Sequence, residues 1–192
     1  MPLRKIAIGV NLDGACADSY GRMREIATEW FGLGGSELTY KVTYGLPEWG
    51  LNITEEYKVL HYFAIIKRKL FSTCNILPQA GYYLRLLSEK GAKIIPYRFY
   101  SDRLDQMVVL QTFDWLDKHR IPYCDLCFVN GNVKVGADIY IDNDPKNVKK
   151  LRREGLYTIC FANSTNKDVE QPRVGTWEEV YQLIKKKYDS NT

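Results

Sequence analysis

The chain has 192 residues, 45% of them apolar and 26% charged, with a net charge of +4 from 27 basic and 23 acidic side chains. This is globular composition with room for one ordinary domain and a sizeable core, and it excludes a disordered chain. No run approaches the roughly 20 apolar residues of a membrane span, and so mild a charge does not call for nucleic acid as a partner.

The first apolar run, residues 6–10, ends in Asn11-Leu12-Asp13-Gly14 and reads as a strand entering a tight turn. The opening MPLRK leads straight into it, so no signal peptide is expected and a cytoplasmic location is. Residues 18–78 hold no obvious strand. They are helix-like and aromatic, with Tyr20, Trp30, Tyr44, Trp49, Tyr57 and Phe63 among them, and read as a helical cap inserted after the first strand. From residue 79 onward, strand patterns at 92–95, 126–129, 139–141 and 157–161 alternate with helical patterns at 84–90, 102–119, 146–154 and 176–187. Such alternation predicts an α/β fold, a parallel sheet covered by helices on both faces. The core is then residues 1–17 and 79–192, carrying the cap at 18–78. Gly91 and Gly155 stand where helices end. Thr176 with Glu179 three residues on makes a capping box at the start of the last helix. The basic clusters at 149–153 and 185–187 lie on amphipathic helices and read as solvated faces.

Five cysteines, Cys16, Cys74, Cys124, Cys127 and Cys160, are scattered through apolar surroundings and suggest reduced thiols. The Cys124-x-x-Cys127 spacing invites a zinc or redox reading. A zinc site would need a second ligand pair, and the chain has only His61 and His119. Core cysteines on a buried strand are the expectation.

The chemistry lies at two strand ends. One carries Asn11 and Asp13; the other reads Tyr140-Ile141-Asp142-Asn143-Asp144-Pro145. Asp, Asn and Pro favour turns after strands without any ligand. Two such ends beneath a cap, however, bring together oxygen groups able to hold a hard cation such as Mg²⁺, in an arrangement suited to phosphoryl transfer.

These stretches resemble the haloacid-dehalogenase superfamily, and within it the 5'(3')-deoxyribonucleotidases. The likeness rests on IGVNLDGACAD, on TYGLPEWGLNITEEY in the cap, on LRLLSEKGAKIIPYR and FDWLDKHRIPYCDLCFV, and on ADIYIDNDPKNVKKLRREG with the closing RVGTWEEVYQLI, so that it covers nearly the whole chain. The resemblance implies a Rossmann-like core with a helical cap. It also implies Mg²⁺-dependent removal of phosphate from nucleoside monophosphates through an aspartyl-phosphate. Asn11 stands at the nucleophile position, and its amide cannot act as a carboxylate nucleophile. Asp13 matches the acid/base aspartate, and Arg98 matches its counterpart. Pro96 falls where a phosphate-binding hydroxyl is expected. The phosphate-neutralising lysine falls at Asn132, with Lys134 two residues away. The paired aspartates of the last motif become Asp142 and Asn143, with Asp144 following. A weakened Mg²⁺ site built from Asn11, Asp13, Asp142 and Asp144 is the resulting expectation. Tyr44, Trp49 and Phe63 are, by position, the aromatics expected to stack on a base, and Arg98 and Lys134 the groups expected to hold phosphate.

Four altered catalytic positions point to a degenerate site that binds a nucleotide, another phosphorylated small molecule or a partner, with a protein partner or a homodimer left open. The alternative is a working Mg²⁺-dependent 5'-nucleotidase or phosphatase in which Asp13 activates water and Asp142 and Asp144 hold the metal.

Overall fold

The computed structural model describes residues 6–33, 38–43, 46–50, 55–100, 106–131 and 133–189. In chain order the elements are β1 (Ala7–Asn11), a one-turn α1 (Leu12–Ala15), α2 (Ser19–Trp30), α3 (Glu56–Arg68), α4 (Leu70–Thr73), α5 (Ala80–Glu89), β2 (Lys93–Phe99), α6 (Gln106–Lys118), β3 (Cys127–Val129), β4 (Ile139–Asp142), α7 (Pro145–Arg153), β5 (Tyr157–Phe161), β6 (Arg173–Val174) and α8 (Trp177–Asp189). The six strands form one sheet in the order β3-β2-β1-β4-β5-β6, every pair parallel. The chain winds outward from β1 through β2 to β3, then returns to β4 on the other side of β1. That reversal opens a crevice at the strands' C-terminal ends, where open α/β sheets bind ligands.

The strands are apolar because helices cover both faces. Ile8, Val10, Ile94, Ile139, Ile141 and Ile159 are buried in one core with Leu84, Leu87, Trp115, Trp177, Val180 and Ile184. A second cluster gathers Tyr97, Val133, Ala137, Tyr140 and Leu151. Each large apolar side chain buried this way contributes about 1.5–3 kcal/mol. The helix ends follow the sequence signals. Gly91 and Gly155 have φ of 94° and 78°, and Thr176 and Glu179 exchange hydrogen bonds of 2.9–3.2 Å.

Helices α2, α3 and α4 pack on one another, and α3 and α4 pack on α6. Gln111 of α6 makes the join: its Oε1 accepts from Phe71 N–H at 3.1 Å and its Nε2 donates to Ile65 O at 2.9 Å. Trp115 adds an indole bond to Cys74 O at 2.8 Å. These buried bonds fasten α3 and α4 to α6.

Three expectations are corrected. Strand β2 runs four residues past the apolar pattern, through Pro96, because the polar ends of Tyr97 and Arg98 find partners inside the fold. Helix α5 starts four residues early, at Ala80. Cys124 is exposed and Cys127 half-buried, not core, because β3 is an edge strand. Cys16, Cys74 and Cys160 are buried, and burial pushes the thiols of Cys16 and Cys74 up to about 12. The start expected for the helix at 102 lies outside the described residues. No helix among the described residues is long and apolar enough to cross a membrane.

Candidate ligand site at the strand ends

Asn11, the last residue of β1, is buried and makes directed bonds on both sides of its amide. Its Nδ2 donates to Asp142 Oδ1 at 2.9 Å and to Asn143 Oδ1 at 3.2 Å, while its Oδ1 accepts from Asp13 N–H at 3.1 Å. Asp142, fully buried at the end of β4, also accepts from Tyr97 Oη at 2.7 Å on Oδ2 and from Asp144 N–H at 2.8 Å on Oδ1. Burial pushes its carboxyl up to about 6, against the downward pull of the bonds from Asn11, Asp144 N–H and Tyr97. Tyr97 is pushed well up in turn, by burial and by the carboxylate it faces.

Asp13 faces the other way. Arg98 Nε and Nη2 each reach one of its oxygens at 3.0 Å, a bidentate pair of the strong kind. Arg98 is completely buried, gives Nη1 to Thr112 Oγ1 at 2.7 Å and stacks on Phe71 with its carbon 4.0 Å from the ring centre. Tyr97 and Arg98 are successive strand residues, so they point to opposite faces. One therefore serves Asp142 and the other Asp13.

Gly14 follows Asp13 with φ of 82°, and a Cβ there would come within 2.4 Å of Asn143 Nδ2. Glycine is needed twice over, for the left-handed backbone and for the close approach of Asn143. Gly14→Ala is expected to cost about 1–3 kcal/mol in thermal unfolding, with Asn143 displaced; a melting temperature unchanged from the parent would contradict it.

A cavity of about 250 Å³ opens above these groups, lined by Asn11, Asp13, Asn143 and Asp144 below and by Ser19, Tyr20, Tyr57, His61, Phe71 and Phe99 around its walls. The structure thus brings together Asn11, Asp13, Asp142 and Asp144, with Arg98 behind them. It does not bring in the rest. Lys134 is half exposed and sits 3.9 Å from Glu154, and it is not part of the cavity wall. Trp49 is buried with its indole on Thr39 O at 3.0 Å and lines a separate cavity of about 210 Å³ with Tyr40 and Phe161. Phe63 packs against Trp30 at 4.7 Å and under Arg68. Tyr44 and Asn132 lie outside the described residues.

Two residues, Tyr97 and His61, are given no site role by the sequence. Tyr97 was readable: a tyrosine beside Arg98 on a central strand must send its hydroxyl to the opposite face. His61 carried no signal beyond its helix. It stacks on Tyr57 at 5.7 Å and meets the edge of Phe71 at 6.3 Å. Burial lowers its pKa while the charge of Asp13 raises it.

Oxygen groups of this type are what Mg²⁺ takes, but their arrangement does not fit one. Asp13 is engaged by Arg98. Asp144 caps α7, accepting from Lys146 N–H at 2.7 Å and Asn147 N–H at 3.3 Å. Asp142 already accepts three hydrogen bonds, and Asn11 turns its NH₂ group toward it. Among the described residues no group of three His, Cys, Asp or Glu side chains is gathered around one point.

Comparison with known proteins agrees with the fold. The family model "5' nucleotidase, deoxy (Pyrimidine), cytosolic type C protein" matches residues 4–188. A protein of Chlorobaculum tepidum named "Putative 5'(3')-deoxyribonucleotidase" is 50% identical over 187 residues, 96% of this chain and 93% of its own. Among solved structures, a hydrolase from Streptococcus pneumoniae TIGR4 aligns at TM-score 0.60 and 14% identity over 95% of this chain and all (100%) of its own. The "putative HAD-hydrolase YfnB" of Bacillus subtilis, bound to magnesium, aligns at 0.61 and 10% over 95% and 99%. At such identities the two structures speak for the fold alone. With a parallel sheet reversing beside β1, an Asn-x-Asp turn at its end and the family match over almost its full length, the chain belongs to the deoxyribonucleotidase family of cytosolic type C and has the haloacid-dehalogenase fold.

Proposed function

We propose that this chain binds a nucleoside monophosphate, or a similar phosphate monoester, between the strand ends and the helices of residues 18–78, taken here as a cap, and that it does not use the aspartyl-phosphate route. One observation carries the reading: the group at the nucleophile position is the Asn11 amide, bonded on both sides and chemically unable to attack phosphorus. The rings of Tyr20, Tyr57, His61, Phe71 and Phe99 offer stacking surfaces for a base, each stacked contact being worth about 1–3 kcal/mol. Asn11 and Asn143 are neutral where carboxylates would repel an anion, and Arg98 neutralises Asp13. Ser19, His61 and Asn143 supply hydrogen-bonding groups at the cavity wall.

A second reading, a working Mg²⁺-dependent nucleotidase with water as nucleophile, is favoured by the partly exposed Asp13 carboxylate on the cavity wall and by the kinship with a protein named as a nucleotidase. Phosphate release from a panel of nucleoside monophosphates and an aryl phosphate, with Mg²⁺, separates the two. Expected is no release above the blank by the protein or by Asn11→Asp, since each missing charge-stabilising donor costs about 10²–10³ in rate, together with nucleotide binding by calorimetry. Turnover by the unaltered protein that disappears in Asp13→Ala would establish the second reading instead.

A further inference from the structure

The bonds around Asp142 have a consequence for the metal. We propose that Asn11 and Tyr97 hold Asp142 by hydrogen bonds in place of a divalent cation, so that this site takes its ligand without one. The nature of the ligand rests on the reading above; the statement about the metal does not.

Mg²⁺ holds its oxygens at about 2.1 Å in an octahedron, which sets neighbouring ligand atoms about 3 Å apart. Asn11 Nδ2 and Asp142 Oδ1 are 2.9 Å apart, the length of such an edge, but one end is an amide nitrogen whose hydrogen lies between them. The orientation of this amide is not free. Its oxygen accepts from Asp13 N–H at 3.1 Å, and turning it over would set NH₂ against that N–H and oxygen against the Asp142 carboxylate. The second amide hydrogen goes to Asn143 Oδ1 at 3.2 Å, so the nitrogen has nothing left to give and no lone pair to offer.

Asp142 is equally committed. Tyr97 Oη at 2.7 Å takes Oδ2, while Asn11 and Asp144 N–H at 2.8 Å share Oδ1. Tyr97 is fully buried and Asn11 almost so. A cation seated on Asp142 would push these donors off and leave a buried phenol and a buried amide without partners, a state that folded proteins avoid. The remaining carboxylates do not compensate, since Arg98 holds Asp13 and the first turn of α7 holds Asp144.

The test is calorimetric titration with MgCl₂ alone, and thermal unfolding in EDTA and in 10 mM Mg²⁺ (a chosen concentration, roughly that which saturates a submillimolar site). The protein as it stands, Asn11→Asp and Tyr97→Phe are compared. For the unaltered protein no binding heat and no shift in melting temperature are expected. Asn11→Asp removes the amide hydrogens and restores an oxygen pair, so it should gain a rise of about 5–10 °C at a hundredfold excess of Mg²⁺ over its dissociation constant. Tyr97→Phe frees Oδ2 of Asp142 but keeps the Asn11 amide, so it should gain a smaller rise than Asn11→Asp. Submillimolar Mg²⁺ binding by the unaltered protein would overturn the proposal whatever the variants do. So would a folded Asn11→Asp that gains no affinity, because the amide would then not be what excludes the ion. Nucleotide titrations in the same two buffers keep the readings apart. Equal affinity in EDTA and Mg²⁺ supports both, affinity present only with Mg²⁺ overturns this one, and silence in both counts against the nucleotide alone.

Discussion

Arg98→Met is expected to destabilise the protein by about 3 kcal/mol, at the lower end of the range for breaking a buried ion pair because Asp13 keeps some contact with solvent. Methionine fills much of the volume and keeps contact with Phe71, so the loss is that of the bonds. Asp13 is left facing an apolar side chain, and Thr112 Oγ1 loses its guanidinium donor. Arg98→Lys should recover little, because an ammonium cannot reproduce the fork to both Asp13 oxygens while reaching Thr112. Urea unfolding of the parent and both variants measures this. A loss under 1 kcal/mol in both, well below what breaking a buried pair is worth, would mean that the pair does not hold the end of β2 to the turn after β1.

Asp142 makes stability depend on acidity in the direction opposite to most paired carboxylates. Its carboxyl is pushed from 3.8 up to about 6, burial being the chief cause. Across that interval the folded protein keeps a proton that the unfolded chain has released. The stabilisation is therefore complete below about pH 4 and is lost as pH rises through 6, amounting to about 3 kcal/mol. Urea unfolding between pH 4 and 7 in EDTA should show this decline on top of the contributions of other groups. In Asp142→Asn, which has no proton to lose there, that part of the slope should vanish. Equal slopes in parent and variant would show that Asp142 does not titrate in this window.

The sheet was legible because buried parallel strands are short apolar runs between helical periods, and Gly91, Gly155 and the Thr176–Glu179 pair marked helix ends with local chemistry. Pro96 misled, since a proline removes a ladder bond and usually closes a central strand. The structure keeps the strand because Tyr97 and Arg98 are worth more inside. The acidic strand ends were also legible, and their bonding was not. Whether Asp142 meets a cation or three hydrogen-bond donors depends on which face Tyr97 takes and which way the Asn11 amide turns, and both are tertiary facts. The aromatic residues show the limit most clearly. Trp49 and Phe63 were chosen by position and pack elsewhere, while His61 and Tyr57, one helical turn apart on α3, face the cavity. Helical periodicity says that two residues share a side, but not what that side meets.

Two of the site's three carboxylates depend on two adjacent residues of β2: Tyr97 bonds to Asp142 and Arg98 to Asp13. Neither can be adjusted alone. A one-residue slip of β2 against β1 would exchange the faces of tyrosine and arginine, bringing a cation to one acid and a phenol to the other. The strand thus works as a shared lever, and the charge balance of the whole crevice is written in its alignment. Redesign of this site has more freedom in the loops above the strand ends than in the three residues from Pro96 to Arg98.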